Sequence, residues 1–143
     1  MNDLHDLTLI LQSRFPLVVI ETHEEPRVLA LLEQAANLEG WALFVWSIAD
    51  GLRRSGNSQP ITQTYEFLDA LRHIDKTPQN GLYVLLDAHP YLSDPVNARL
   101  IREIAMDHGK TARTLVLVSP RLELDSELSR MSARFALSVP DLE

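Results

Sequence analysis

The chain has 143 residues, of which 45% are hydrophobic and 23% are charged, as is ordinary for one globular domain. Its formal net charge of −7 argues against binding to the phosphate backbone of nucleic acids, which requires a basic face. It contains no cysteine, so disulfides, thiolate zinc sites and cysteine nucleophiles are excluded.

The two ends of the chain bear on its location and boundaries. Residues 1–6 are acidic and lack the basic and apolar regions of a signal peptide. No apolar run approaches the roughly 20 residues that a membrane helix needs. We therefore expect a cytoplasmic protein that does not contact a membrane. Leu142-Glu143 resembles a cloning scar, so we expect a single domain over residues 1–141.

Apolar periodicity predicts alternating helices and strands in the first half of the chain. These are a helix over 3–14, a strand over 17–20, a helix from about 24 that ends at Gly40, a strand over 41–48 and a helix over 61–74. Glu24-Glu25-Pro26 suits a helix N-terminus, where acids and a first-turn proline are favoured. Residues 50–60 are polar and rich in Gly, Ser and Asn, which predicts a loop.

The same alternation continues in the second half. The predicted elements are a strand over 82–87, a helix from Asp94-Pro95 to about 107, a strand over 114–118, a helix over 126–131 and a strand over 135–139. Five apolar strands that alternate with helices predict an α/β three-layer sandwich with a mainly parallel five-stranded sheet.

Asp87 ends the apolar run 81–86, where α/β proteins hold a magnesium ion or a nucleophile. The other strands end at Glu21-Thr22-His23, Ser47, Ser119 and Val139-Pro140. A triphosphate site would need a glycine-rich loop with a lysine after the first strand. Residues 21–27 contain neither residue type but carry three carboxylates, so we expect no phosphate binding there.

A receiver-like phosphoacceptor is an alternative, because acids follow the first and third strands. Glu21, Glu24, Asp87 and Ser119 could surround a magnesium ion in such a domain. The lysine expected after the fifth strand is absent, and Val139-Pro140 occupies its place.

Histidine and serine patterns give no catalytic or metal site. The five histidines lie in separate segments, and none forms the i, i+4 pair of a zinc helix. His89 follows Asp87 by two residues on an extended segment, so the two side chains are expected to diverge. Ser47 and Ser119 lack the surroundings of a serine nucleophile and are interpreted as strand-end turn residues. We therefore predict no catalytic residue and no metal ligand.

Three aromatic residues in the second strand, Trp41, Phe44 and Trp46, could form a ligand platform or pack in the core. Alternation along a strand places Trp41 on the opposite face from Phe44 and Trp46. Because helices cover both faces of such a sheet, core packing is the favoured interpretation.

Several short motifs together resemble a known family. They are residues 16–25, Phe44-Val45-Trp46-Ser47 leading to Gly51-Leu52, the strand 82–87 followed by His89 and Tyr91-Leu92, and residues 118–124 with Glu127-Leu128. In this order and spacing they resemble the amino-terminal domain of AAA ATPases related to the hypothetical chloroplast reading-frame proteins. The resemblance spans residues 7–140.

This resemblance implies a degenerate AAA-like, P-loop-NTPase-like domain that lacks the phosphate-binding loop, with strand order 5-1-4-3-2. By position, Asp87 matches the magnesium-supporting acid, Ala88 stands where an active ATPase has its catalytic glutamate, and Ser119 matches a γ-phosphate-sensing residue. Asp87 and Ser119 are therefore expected to be vestigial, with no cofactor in this domain. ATP and magnesium would bind a catalytic domain that follows in the chain.

The expected function is that of a non-catalytic regulatory, assembly or client-recognition domain of a bacterial AAA ATPase. Its partners would be its own catalytic domain, neighbouring subunits and a protein client, without nucleic acid. The outer helix faces and the loop 53–59 are candidate contact surfaces. Two alternatives stay open, a phosphoacceptor that uses Asp87 and residual nucleotide binding. In the favoured case Asp87 would accept hydrogen bonds from nearby turn N–H groups.

Overall fold

A six-stranded sheet with helices on both faces forms the computed structural model, which describes residues 2–139. The elements are α1 (Asp3–Gln12), β1 (Leu17–Glu21), α2 (Glu25–Glu39), β2 (Ala42–Ser47), β3 (Gly51–Arg54), α3 (Phe67–Lys76), β4 (Gly81–Leu86), α4 (Pro95–Met106), β5 (Arg113–Ser119), α5 (Ser126–Arg130) and β6 (Ser132–Arg134). None of the helices within residues 2–139 is long and apolar enough to span a membrane.

The strands lie in the order β3-β2-β4-β5-β1-β6, and all neighbours are parallel except β2 and β3. The predicted α/β class with a mainly parallel sheet is confirmed. The five parallel strands follow the expected order 5-1-4-3-2, and β3 adds a sixth, antiparallel strand at one edge. Apolar side chains of α1 and α2 pack on one face, and those of α3, α4 and α5 pack on the other. This is the predicted three-layer arrangement.

The strand β3 lies where the sequence predicted only a loop. Gly51 has φ +71°, a left-handed conformation that favours glycine and closes the turn from β2. Leu52 is fully buried and pairs in register with Trp46. Residues 50–60 are polar and predict a loop, because Leu52 is the one apolar side chain that anchors this short hairpin in the core.

The last strand also differs from the prediction. It comprises Ser132–Arg134, whereas the sequence predicted 135–139. The N–H of Phe135 still donates to the carbonyl of Val19 at 3.0 Å, but Phe135 and Leu137 then pack with the α1 and α2 side of the core. Their alternating apolar pattern imitates a strand although they pack against helices. The predicted strand-end Pro140 and the suspected scar Leu142-Glu143 lie outside the described residues.

The helix predicted over 61–74 begins later and ends later, at Phe67–Lys76. Residues 61–66 instead cover the outer edge of β3. The N–H of Leu52 donates to Thr64 Oγ1 at 2.9 Å, and the N–H of Ile61 donates to the carbonyl of Leu52 at 2.8 Å. This segment protects an edge strand that would otherwise be open to pairing.

Two predicted helix boundaries are confirmed by their capping groups. Asp94 Oδ1 accepts the N–H of Val96 at 2.8 Å at the start of α4. Gly40 adopts φ +72° after α2 and ends that helix in the left-handed conformation.

Phe44 and Trp46 pack in the core, as predicted. The Phe44 ring stacks on Tyr83 with a centroid separation of 4.7 Å, and the indole N–H of Trp46 donates to the carbonyl of Thr64 at 2.7 Å. Trp41 lies on the opposite face and is only half-buried. Core packing therefore accounts fully for two of the three aromatic residues.

Arg113 is a buried cation that the sequence analysis did not identify. Its side chain is 2% exposed, and Nη1 donates to the carbonyl of Asp75 at 2.6 Å and also to that of Ile74. Nη2 donates to Asp107 Oδ2 at 3.2 Å. The guanidinium thus caps the C-terminus of α3, where the carbonyl of Ile74 also accepts the N–H of Thr77 at 3.2 Å.

Candidate functional site

The carboxyl ends of the parallel strands form one edge, where ligands bind in open α/β sheets. Strand register brings the ends of β1, β4 and β5 together there. Glu21 pairs with Ser119, and Leu86 pairs with Val118, directly before Asp87. The sequence-predicted site residues at the ends of these three strands therefore do belong to one edge.

The carboxylate of Glu21, at the end of β1, forms hydrogen bonds that hold neighbouring segments together. Its Oε2 accepts the N–H of Leu122 at 3.1 Å, and its Oε1 accepts Arg134 Nη1 at 2.8 Å. The hydrogen bond from the Leu122 backbone, together with Arg134, holds the pKa of Glu21 below its usual value. Glu21 thus joins β1 to β6 and to the segment after β5.

Asp87 directly follows β4 and is exposed. Its φ of +55° places it in the left-handed region, which is uncommon for residues other than glycine, Asn and Asp. Its backbone N–H donates to the carbonyl of Val118 at 2.8 Å. The expected hydrogen bonds from turn N–H groups to its carboxylate are not among the contacts of residues 2–139. That expectation was wrong, because the left-handed turn leaves the carboxylate in solvent.

Glu25, the first residue of α2, is electrostatically coupled to Asp87. Partial burial, followed by the negative charge of Asp87, raises the pKa of Glu25 above its usual value. The sequence places Glu25 among the loop acids but does not reveal its proximity to Asp87, which is 62 positions away in the chain. The two carboxylates give this part of the edge a negative potential that disfavours a phosphate group.

Ser119 ends β5 and is buried, and its Oγ has no hydrogen-bond partner among residues 2–139. Ser47, by contrast, accepts the N–H of Asp50 at 3.1 Å and acts as the predicted turn residue. His89 begins an exposed 3₁₀ turn, His89–Tyr91. No hydrogen bond joins His89 to Asp87 within residues 2–139, and the segment is a turn rather than the extended stretch that was expected from the sequence.

In the loop between β1 and α2, backbone N–H groups that a phosphate would need already donate hydrogen bonds within the protein. The N–H of Thr22 donates to the carbonyl of Ser119 at 2.9 Å, and the N–H of Glu24 donates to Thr22 Oγ1 at 2.9 Å. Pro26 has no N–H to offer. In the part of the chain that the structure describes, no group of three His, Asp or Glu side chains is arranged to hold a metal ion.

Comparison with known proteins adds an independent observation. Residues 3–137 match the family described as the N-terminal domain of SpoVK-like AAA ATPases. The chain is 30% identical over 132 residues to the AAA domain-containing protein ycf46 of Guillardia theta, an alignment that covers 90% of the chain and 26% of that relative. It is 25% identical over 145 residues to ycf46 of Pyropia yezoensis, with 99% and 29% covered.

A third relative is ycf46 of Trieres chinensis, which is 23% identical over 139 residues, with 94% of the chain and 28% of the relative covered. The chain therefore spans little more than a quarter of the length of the curated relatives that it matches.

Proposed function

Because this chain belongs to the family of SpoVK-like AAA ATPase N-terminal domains, we propose that it is a non-catalytic domain of a AAA ATPase. Its role is regulation, assembly or client recognition, and it hydrolyses no nucleotide itself. Its partners are a catalytic domain in the same protein, neighbouring subunits and a protein client. ATP and magnesium bind that catalytic domain rather than this one.

The loop between β1 and α2 is the observation that carries this proposal. A phosphate cradle needs several free backbone N–H groups and a favourable potential. Here the N–H groups of Thr22 and Glu24 are already bonded within the protein, and Glu25 and Asp87 add negative charge nearby. These contacts support a domain that keeps the frame of a nucleotide-binding fold without its phosphate-binding chemistry.

The length of the relatives supports a separate catalytic domain. The matched segment covers 26% to 29% of each of the three ycf46 proteins, whose names describe them as AAA domain-containing. We expect the natural reading frame to continue past this segment into a glycine-rich loop with a lysine. A stop codon at this point of the gene would contradict the proposal.

The proposal is tested by ATP hydrolysis in the longer protein that contains this domain. Asp87→Asn should leave the hydrolysis rate per catalytic domain unchanged, because Asp87 takes no part in the reaction. Removal of residues 1–139 should change oligomer assembly or client processing. The proposal fails if Asp87→Asn abolishes hydrolysis while a thermal melt shows that the domain is folded.

A second candidate, a phosphoacceptor that uses Asp87, has one observation in its favour. Asp87 is exposed at the end of β4, and its negative charge acts, after partial burial, to raise the pKa of the neighbouring Glu25. The bonds of Glu21 to Leu122 and Arg134 argue against it, since that carboxylate is not free to hold magnesium. Incubation with acetyl phosphate and magnesium should add no phosphate to the intact mass. Incorporation that is lost in Asp87→Asn would favour this candidate instead.

A further inference from the structure

A pocket of about 320 Å³ opens at the amino ends of β2, β4 and β5, at the opposite edge of the sheet from the candidate site described above. Leu11 and Gln12 of α1 and Glu39 of α2 line it, so it lies between the C-termini of these two helices. We call it the amino-edge pocket. Its volume is in the range of pockets that bind small molecules, which is about 300–1,000 Å³.

The apolar part of the lining consists of Leu11, Leu82 and Trp41. Leu11 and Leu82 are buried members of the core, which fixes their positions. Trp41 packs against the same core but is only half-buried, so part of its indole is available inside the pocket. A flat apolar surface of this kind favours a planar ring, because contacts between aromatic rings add to the gain from burial of apolar area.

Thr114 and His108 form a polar pair in the lining. Nε2 of His108 lies 3.2 Å from Oγ1 of Thr114, which is only 7% exposed. Burial, followed by the positive charges of Arg14 and Arg113, lowers the pKa of His108, so its imidazole is neutral at pH 7. If Nε2 carries the proton and donates to Oγ1, the hydroxyl keeps its own hydrogen, for which residues 2–139 provide no other partner. A ligand with a carbonyl oxygen would accept it.

The charges of the lining balance each other. One cation, Arg14, and one carboxylate, Glu39, line the pocket. Oε1 of Glu39 accepts Nε2 of Gln12 at 3.0 Å, but an amide does not neutralise its charge. With His108 neutral, the lining therefore has no net charge, although the whole chain carries −7. A charged ligand would lose hydration and would be attracted by one of these groups and repelled by the other, so an uncharged ligand is favoured.

We propose that the amino-edge pocket binds an uncharged, planar aromatic molecule that carries a carbonyl acceptor, such as an aromatic amide. Its ring contacts Trp41, Leu11 and Leu82, and its carbonyl accepts the hydroxyl of Thr114, which His108 holds in place. This site is separate from the carboxyl edge and goes beyond the proposed non-catalytic function, because it assigns a small-molecule ligand to the domain. It also makes Trp41 the one aromatic residue of the second strand that acts as a ligand platform.

The test is a ¹⁵N NMR titration of this chain with indole-3-carboxamide. The indole N–H signal of Trp41 should shift and saturate with a Kd of about 0.1–1 mM, as is usual for so small a ligand. The indole N–H of Trp46 is the internal control and should not move, because it is buried and bonded to Thr64. Indole-3-carboxylate and 3-(aminomethyl)indole place a negative and a positive charge on the same ring, and each should bind at least about fivefold more weakly.

A substitution tests the hydrogen bond to the ligand. Thr114→Val removes the hydroxyl with little change of shape and should weaken the binding of indole-3-carboxamide at least about fivefold. The analogue 3-methylindole lacks the carbonyl and should bind Thr114→Val and the wild type equally. Thr8→Val is the matched control, since the hydroxyl of Thr8 donates to the carbonyl of Leu4 at 2.7 Å outside the pocket, and it should leave the Kd unchanged. Thermal melts establish that both variants are folded.

Three results would overturn the proposal. They are a Trp41 signal that does not move, equal or tighter binding of either charged indole, and equal affinity of folded Thr114→Val and the wild type for indole-3-carboxamide. The charge series uses the wild type alone, so it decides the question even if Thr114→Val does not fold. Because the titration contains no nucleotide, its failure leaves the proposed non-catalytic function standing, whereas loss of hydrolysis in Asp87→Asn would contradict that function and not the pocket.

Discussion

Arg27 and Ser138 are 111 positions apart in the chain, yet Nη2 of Arg27 donates to the carbonyl of Ser138 at 3.0 Å. The same atom contacts Asp3 Oδ2 at 3.1 Å, and Oγ of Ser138 donates to that carboxylate oxygen at 2.9 Å. These three residues tie residues 135–139 to the first turns of α1 and α2. They explain why this segment leaves the sheet instead of continuing β6.

Replacement of Arg27 tests this link. Arg27→Ala should lower the free energy of unfolding by about 1–2 kcal/mol, because several partly buried hydrogen bonds are lost together. Hydrogen exchange at the amide of Phe135 should accelerate as well, since its bond to Val19 is no longer supported. The control is Arg99→Ala, which removes an exposed helical ion pair with Glu103 and should cost no more than about 0.5 kcal/mol. Equal effects of the two substitutions in urea unfolding would refute the link.

Asp87→Asn should stabilise the domain at neutral pH. Asn tolerates the left-handed backbone at position 87, and the change removes the repulsion that raises the pKa of Glu25. A carboxyl group with a raised pKa in the folded state adds stability below its unfolded pKa and loses it as the pH rises through the folded value. The gain from Asp87→Asn should therefore be present at pH 7, at up to about 0.5 kcal/mol, and disappear as Glu25 becomes protonated in acid.

Urea unfolding of both proteins between pH 4 and 7 checks this prediction, alongside the Glu25 carboxyl signal in NMR. The pKa of Glu25 should fall in the variant. A pKa of Glu25 that does not change would show that the two carboxylates do not interact.

Arg113→Met should destabilise the protein strongly. The substitution keeps much of the apolar volume but removes the donor to the carbonyl of Asp75 and leaves the carbonyl of Ile74 with the N–H of Thr77 alone. We expect a loss of about 3 kcal/mol in urea unfolding, as for other buried charge networks from which one partner is removed. Arg113→Lys should recover part of this loss, because an ammonium group can still donate to the carbonyls. If Arg113→Met unfolds at the wild-type urea concentration, the capping role of Arg113 is wrong.

Gly81→Ala should destabilise the start of β4. A Cβ at this position would lie 2.6 Å from the backbone carbonyl oxygen of Ala42 in the paired strand β2, so one of the two strands must move. The expected cost is about 1–3 kcal/mol. Gly109→Ala is the matched control, since no atom lies within 4 Å of its added Cβ and it should be neutral or slightly stabilising. Similar melting temperatures for the two variants would contradict the close approach of β4 to β2.

The parallel strands could be predicted because each is an apolar run of the right length between turn signals. The strand β3 could not be predicted, since its outer edge is bonded to Thr64 and Ile61, which lie in a segment that looked helical. The apolar alternation of Phe135 and Leu137 predicts burial but does not reveal whether a strand or a helix covers the side chains.

At the carboxyl edge, the absence of glycine and lysine from residues 21–27 was readable directly from the sequence. The coupling of Glu25 with Asp87 and the contact of Glu21 with Arg134 were not, because both join residues that are distant in the chain. The exposed half of Trp41 escaped prediction for a related reason. Alternation assigns a side chain to a face of the sheet, but the extent to which a helix covers that face depends on the packing of α2.

The central claim is that the carboxyl edge of this domain no longer binds nucleotide. Isothermal titration of the chain with ATP and magnesium tests it most directly. We predict no saturable heat, which corresponds to a Kd weaker than about 1 mM. Saturable binding in the micromolar range that is lost in Asp87→Asn or Ser119→Ala would contradict it.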